Sequence, residues 1–373
     1  IAIIIIFFSV PVTVYLLNQK TSFFNRAKLA LFGTKANLVV NLTDSYAFIP
    51  SWANLAQGGE EKGGMLKAVI PEVRNLKPEY IRIDHVYDFY EPVKRDPSGK
   101  LIFDWTSLDE EIKDILATGA KPFLSLSYMP PSLSSGGVTD LPISYPEWLT
   151  LVERTIEHVS GRSGLAISDV YYEIWNEPDL FGNFKLSPPK NYLDLYYYAS
   201  LGALQAKNTL AFKIGGPATS SLYKSWFVDF FNFAQKRALR VDFYSWHRYS
   251  KNLTDYQGDI LKAKDWILAY PSYKDVEFII SEAGHSSEND KAYDEDFSAI
   301  HTIGLYASSF EKIGKIFTFE IKDGPGDKKY WGRWGVLTHE KFGTPEPKPR
   351  YKGLEFLNQM LGSWYPVYGQ GTF

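Results

Sequence analysis

A (β/α)8 TIM barrel is the fold class this sequence predicts. Eight strand-like runs alternate along the chain with eight helix-like runs, the order that a parallel sheet with crossover helices produces. Several of the strand runs are apolar on both faces, as parallel strands covered by helices should be. No Gly-rich fingerprint follows the first strand, which argues against the other alternating arrangement, a doubly wound open sheet. The 373 residues are 45% hydrophobic, ample for one large barrel domain.

The elements follow in order. Ile1–Leu17, "IAIIIIFFSVPVTVYLL", carries no charge. It is slightly shorter than the ~20 residues a spanning helix needs, and suits a signal-peptide core or a short membrane anchor. We therefore expect residues 1–28 to be a hydrophobic signal or anchor with its linker. The rest would be extracytoplasmic, either secreted or tethered to the membrane. The barrel domain is expected over 29–362. Its strand-like runs are Leu38–Asn41, Tyr80–Asp84, Pro122–Leu126, Tyr171–Trp175, Lys213–Gly215, Phe243–Trp246, Glu277–Ser281 and Ile316–Glu320. The helix-like runs between them are Met65–Leu76, Ser107–Thr118, Pro146–Ser160, Tyr192–Asn208, Ser225–Arg237, Gly258–Ala269 and Ser298–Lys312, with Tyr351–Leu361 last. Pro345, Pro347 and Pro349 stiffen the connection into that last helix. Residues 363–373 read as the start of a C-terminal extension, the opening of a small β-domain.

Composition excludes several function classes. The formal net charge is −3 and no basic stripe is present, so nucleic acid is not an expected partner. With no cysteine, disulfides, Cys-ligated zinc and thiol nucleophiles are ruled out. The 25 Tyr, 25 Phe and 10 Trp suit stacking on sugars, although a large core accounts for most of them. Asp84, His85 and Asp88 lie close in sequence but offer too few converging ligands for a metal. "GPGD" at 324–327 signals a turn and no phosphate loop. No cofactor is expected, and nothing in the sequence bears on oligomeric state.

Chemistry enters at two strand ends. In "VYYEIWNEPDLFG" a buried strand runs without a turn into Asn176, Glu177 and Pro178. Strand C-termini face the active site in a barrel, so Glu177 can point into the mouth while Pro178 fixes the departing backbone. "VEFIISEAGHSS" ends the same way on Glu282. The two glutamates are 105 residues apart, three β/α units of 35 each, which fits strands four and seven. Two carboxylates facing one cavity suit glycoside hydrolysis. One donates a proton to the leaving oxygen and the other attacks the anomeric carbon; at roughly 5–5.5 Å apart they act by double displacement with retention. Glu320 and Glu173 compete for attention. Glu320 ends the eighth strand and could hold a sugar hydroxyl, while Glu173 could face the barrel interior as an ion-pair partner of Arg82.

"EIWNEPDL" resembles the acid/base motif of the retaining glycosidase clan with (β/α)8 barrels, clan A. Within it the chain most resembles glycoside hydrolase family 39, the β-xylosidase family. The carrying residues are Arg82 in "YIRID", Met129-Pro130 in "LSLSYMPP", the Trp-Asn-Glu-Pro run, and His247 and Tyr249 in "YSWHRYS". The resemblance covers most of 36–362. It implies a β-glycosidase with Glu177 as acid/base and Glu282 as nucleophile. Arg82 and Tyr249 would hold the oxygens of Glu282, Asn176 would bind the sugar 2-hydroxyl, and His247 would line the pocket. Asp84, His85, Tyr128, Trp331 and Trp334 complete the substrate-binding candidates. Two departures touch sugar-binding positions. Asp84 stands where many relatives carry histidine, with His85 next, and the eighth strand reads "IFTFEIKDGPGD" rather than Trp-rich. Xylosidase-like action competes with endo action on a cell-surface polysaccharide. A transglycosylase and a non-hydrolytic carbohydrate-binding barrel are the alternatives.

Overall fold

The computed structural model describes residues 37–45 and 50–370; the apolar run Ile1–Leu17 and the expected segment 1–28 lie outside the described residues. Eight parallel strands close into a barrel: β1 (Asn54–Gln57), β2 (Tyr80–Ile83), β3 (Lys121–Leu126), β4 (Val170–Ile174), β5 (Phe212–Thr219), β6 (Phe243–Tyr249), β7 (Glu277–Gly284) and β8 (Lys315–Phe319). They pair in sequence order, and β8 returns to β1 through Thr318 opposite Leu55. Helices α1 (Ile70–Asn75), α2 (Thr106–Thr118), α3 (Tyr145–Val159), α4 (Tyr192–Gln205), α5 (Lys224–Arg237), α6 (Leu253–Trp266), α7 (Asp296–Ser309) and α8 (Pro349–Asn358) follow the strands in turn.

The first barrel strand is not the expected Leu38–Asn41. Asn37–Val40 is a strand, but it pairs antiparallel with Val367–Gln370. The chain divides into two compact units, Ile49–Leu361, and Ile1–Phe48 with Gly362–Phe373; this pair of strands belongs to the second. Leu38, Val39 and Val40 carry the β-branched, apolar signature of a buried strand and yet are exposed. The true β1, "NLAQ", is buried at all four positions with an amide at each end. Its amides survive burial by bonding inside the fold. Asn54 Nδ2 donates to the Ser51 carbonyl (3.0 Å), Gln57 Nε2 to Glu320 Oε2 (3.0 Å), and the Lys322 N–H donates to Gln57 Oε1 (2.9 Å). A periodicity reading discounts such a strand because the partners of Gln57 are more than 260 residues away.

The longer helices pack a stripe on the barrel. In α3 the buried positions are 148, 151, 152, 155, 156 and 159, one helical face. Ser144 caps α3 by accepting from the Glu147 N–H (3.4 Å), and Asn252 caps α6 by accepting from the Thr254 N–H (3.2 Å). That second cap is why α6 begins at Leu253, ahead of the expected Gly258.

Inside the barrel Ala56, Tyr80, Phe123, Tyr171, Phe243, Ile279, Phe317 and Phe319 form one cluster. Every strand contributes except β5. There Gly215 leaves room, since a Cβ would stand 2.2 Å from the Phe243 carbonyl oxygen and 2.6 Å from its ring. Fully burying a ring of this size is worth about 1.5–3 kcal/mol. This cluster accounts for part of the aromatic content and fills the barrel below the mouth.

Candidate active site

Both glutamates sit where a strand breaks its own regularity. After β4 the chain turns at once, with Trp175 and Glu177 at φ 75° and 44°. Left-handed backbone costs a residue with a side chain of order 1–3 kcal/mol, so the surroundings must hold it. They do: the Glu177 N–H donates to the Ala218 carbonyl (2.9 Å), Ser125 Oγ to the Trp175 carbonyl (2.9 Å), and the Leu180 and Phe181 N–H groups to the Glu177 carbonyl (3.0 and 2.7 Å). In β7 the register against β6 slips between Ile280 and Glu282. Such a bulge inserts one residue and re-aims the next side chain. Both carboxylates thereby face the C-terminal mouth.

A single guanidinium organises the floor. Arg82 is fully buried. Its Nε donates to Glu173 Oε2 (2.7 Å), Nη1 to Glu282 Oε1 (2.8 Å) and Nη2 to Asn176 Oδ1 (2.7 Å). The two expectations for Arg82, a structural partner in Glu173 and a contact with Glu282, are both met, because a planar guanidinium offers donors on three sides. Tyr249 Oη donates to Glu282 Oε2 (2.7 Å). Asn176 Nδ2 donates to Tyr128 Oη (2.9 Å), which leaves a second amide hydrogen for a ligand. His247 Nδ1 lies 2.8 Å from Glu177 Oε1 and 3.4 Å from Glu282 Oε2, and links the two carboxylates. Ligand atoms of Glu177, His247 and Glu282 all fall within 4.8 Å of one another.

The electrostatics follow from burial and these partners. Burial pushes the Glu282 carboxyl up, while His247 and Arg82 favour its ionised form. Burial works to lower the His247 imidazole, but Glu282 and Glu177 outweigh it and hold the imidazole above its ordinary value. Burial also raises Asp84, against the pull of His85 and Arg82. His85 stands above its usual value because Asp84 and Asp88 overcome its burial.

A cavity of about 730 Å³ opens above this floor. Asn176, Glu177, Tyr249 and Glu282 line it, as do the expected Asp84, His85, Tyr128 and Trp334. Arg82 and His247 lie beneath it. Trp331 is not among the lining residues. Its ring stands against Gly326, where a Cβ would come within 2.5 Å of it, and the Arg333 guanidinium lies 5.3 Å from its centroid. The loop after β8 carries both tryptophans, and only its fold decides that Trp334 faces the cavity, with Phe319 5.2 Å away. Glu320, the competing carboxylate, is fully buried, outside the lining, and accepts from Gln57. Burial, with Glu60 and Asp323 nearby, pushes it well above the carboxylate range.

Several lining residues were not singled out from the sequence. Glu60 and Arg333 form an ion pair at the mouth, and the Arg333 guanidinium lies 3.4 Å over the Trp334 ring. Val138, Leu180 and Phe181 line the cavity from the loops after β3 and β4. "GGEEKGG" after β1 and "DLFG" after Glu177 were the available signals. A second acidic group, Glu61 with His339 and Glu340, already contains its cation: Lys322 Nζ lies 2.7 Å from Glu61 and 2.8 Å from Glu340. Asp84, His85 and Asp88 do not converge as ligands; His85 Nδ1 instead bonds Asp88 Oδ2 (2.8 Å), whose other oxygen accepts from the Tyr128 N–H (2.9 Å).

The chain is similar to known proteins. The chain is 28% identical over 297 residues to a β-xylosidase of Caldicellulosiruptor saccharolyticus, covering 72% of this chain and 59% of that protein. It is 25% identical over 300 residues to a β-xylosidase of Geobacillus stearothermophilus, covering 73% and 59%. The chain therefore spans about 59% of the length of these curated relatives. Among solved structures, the family 39 enzyme from Xanthomonas axonopodis pv. citri superposes with a TM-score of 0.76 at 22% identity, over 90% of this chain and 72% of that one. A monomeric β-xylosidase from Caulobacter crescentus CB15 gives 0.74 at 21%, over 89% and 73%. At such identities these likenesses establish the barrel fold alone. The family model of the glycosyl hydrolases family 39 matches residues 63–266, more than half of the sequence, and the chain belongs to that family.

Proposed function

We propose that this chain is a retaining β-glycosidase, with Glu282 as nucleophile and Glu177 as acid/base. The carrying observation is the spacing of the two carboxylates. Their facing oxygens lie within 4.8 Å, close to the roughly 5–5.5 Å of double displacement and short of the roughly 6.5–9.5 Å that inversion needs for an interposed water. In the first step ionised Glu282 attacks the anomeric carbon. The glycosidic C–O bond breaks, and the proton of Glu177 goes to the leaving oxygen. In the second step Glu177, now a carboxylate, takes a proton from water as the water oxygen attacks the same carbon and frees Glu282. Arg82 and Tyr249 favour the ionised form of Glu282 against its burial and orient it for attack. The spare amide hydrogen of Asn176 is offered to the sugar 2-hydroxyl.

The substrate class we carry over from the two curated relatives is a β-linked xyloside. A cavity of about 730 Å³ falls within the about 300–1,000 Å³ of small-ligand pockets, which favours removal of a short terminal unit over endo action. The test is hydrolysis of aryl β-D-xylosides and β-D-glucosides with the product followed by NMR. The β-anomer should appear first; the α-anomer first would refute double displacement. We also propose that the chain acts outside the cytoplasm, on the strength of the uncharged Ile1–Leu17 run. Cell fractionation should recover the full-length protein in the membrane or the medium, and recovery in the cytosol would refute it.

A further inference from the structure

The mouth of the cavity is chemically lopsided. On the side of β7, β8 and β1 it is lined by the charged Glu288, Arg333 and Glu60, with Ser287 and with Trp334 under the Arg333 guanidinium. On the side of β3 and β4 it is lined by Thr139 and by three apolar side chains, Val138, Leu180 and Phe181. These three are 40%, 56% and 44% exposed, unusual for apolar side chains in one place. They form one surface because their loops touch: a Cβ on Gly182 would lie 2.5 Å from the Thr139 carbonyl oxygen. The shelf is tied to the chemistry, since the N–H groups of Leu180 and Phe181 bond the Glu177 carbonyl. Phe181 is further fixed edge-on to Tyr128 at 5.9 Å.

Position gives the shelf its meaning, on the reading of Glu177 as acid/base. The acid must reach the glycosidic oxygen, so the leaving group lies on the Glu177 side and the sugar that is attacked lies toward Glu282. Asn176, Tyr249 and Arg82 crowd the sugar side with donors and acceptors. On the leaving-group side two of the three exposed residues are aliphatic, with neither a flat π-face for a sugar ring nor a hydrogen bond to give. The nearby Ser220 hydroxyl is already bonded to Asp179 and Tyr223. We propose that Val138, Leu180 and Phe181 form a leaving-group subsite for an apolar aglycone, an alkyl or aryl group, rather than for a second sugar.

The probes are methyl and n-octyl β-D-xyloside and xylobiose, with affinities taken by calorimetry on Glu282→Gln protein, which cannot turn them over. The octyl glycoside should bind about tenfold more tightly than the methyl one, equivalent to partial burial of the added chain on the shelf. In Glu282→Gln protein that also carries Val138→Thr and Leu180→Asn, the octyl-to-methyl ratio should fall to about threefold or less. Both added substitutions are at exposed side chains, and a thermal melt confirms the fold. Equal affinity for methyl and octyl xylosides, a ratio untouched by the shelf substitutions, or a larger gain from xylobiose than from the octyl chain would each overturn the proposal. If native protein hydrolyses no β-glycoside, the catalytic reading fails by itself, and the binding ratio still decides the shelf.

Discussion

Tyr249→Phe isolates the electrostatic support of the nucleophile. Glu282 Oε1 is held by Arg82 at 2.8 Å, whereas Oε2 has Tyr249 Oη at 2.7 Å and a longer contact with His247 at 3.4 Å. His247 is committed to Glu177 at 2.8 Å, so Tyr249 is the chief donor on Oε2. A hydrogen bond to a charged group is worth roughly 1.5–3 kcal/mol. Its loss removes that much support from the ionised carboxylate and should raise the Glu282 pKa further. The sign follows because the lost donor bonds the ionised carboxylate more strongly than the neutral acid, and attack requires the ionised form. The acidic limb of kcat/KM should therefore move to higher pH. The measurement is kcat/KM against pH on an aryl β-xyloside with a good leaving group, which makes little demand on protonation by Glu177. An unmoved limb, or a uniform loss at every pH, would mean that Tyr249 does not tune Glu282 and that Glu282 is not the ionised attacker.

Three further outcomes are expected. Glu282→Ala should abolish turnover and, with added azide, yield a glycosyl azide of inverted configuration; Glu177→Ala should keep its first step on good leaving groups and yield the retained azide, so identical azide products would contradict the division of roles. Arg82→Met should leave Glu173 and Glu282 buried without their cation and cost about 3–5 kcal/mol in urea unfolding, part of it recovered by adding Glu173→Gln; a loss below about 1 kcal/mol would contradict the reading of Arg82 as their shared counter-charge. Glu320 has a raised folded-state pKa, so its contribution is intact below the unfolded value of about 4.3 and is lost as pH rises toward the folded value. Glu320→Gln, which cannot ionise, should gain stability relative to wild type as pH rises from 4 to 8, and a constant difference across that window would show that Glu320 is ionised in the fold.

The sequence by itself determined the barrel and its two principal carboxylates. Alternating strand and helix periods are local patterns, and Glu177 and Glu282 announce themselves by following apolar strands directly. The interval between them then assigns them to strands four and seven. What the tertiary structure decided involves contacts that no local pattern records. Arg82 meets Glu173 and Glu282 across 91 and 200 residues, and one guanidinium serves both. Gln57 and Glu320 bond across 263 residues, which is how the amide-ended "NLAQ" can open the barrel while the more strand-like Leu38–Val40 pairs elsewhere. Trp331 and Trp334 share a loop, and its path alone turns one of them to the cavity. The apolar shelf is likewise invisible along the chain. Val138 and Leu180 line one cavity only because β3 and β4 are neighbours in the closed sheet. Periodicity reports which face of an element is buried, but which residues share a cavity depends on long-range closure of the barrel.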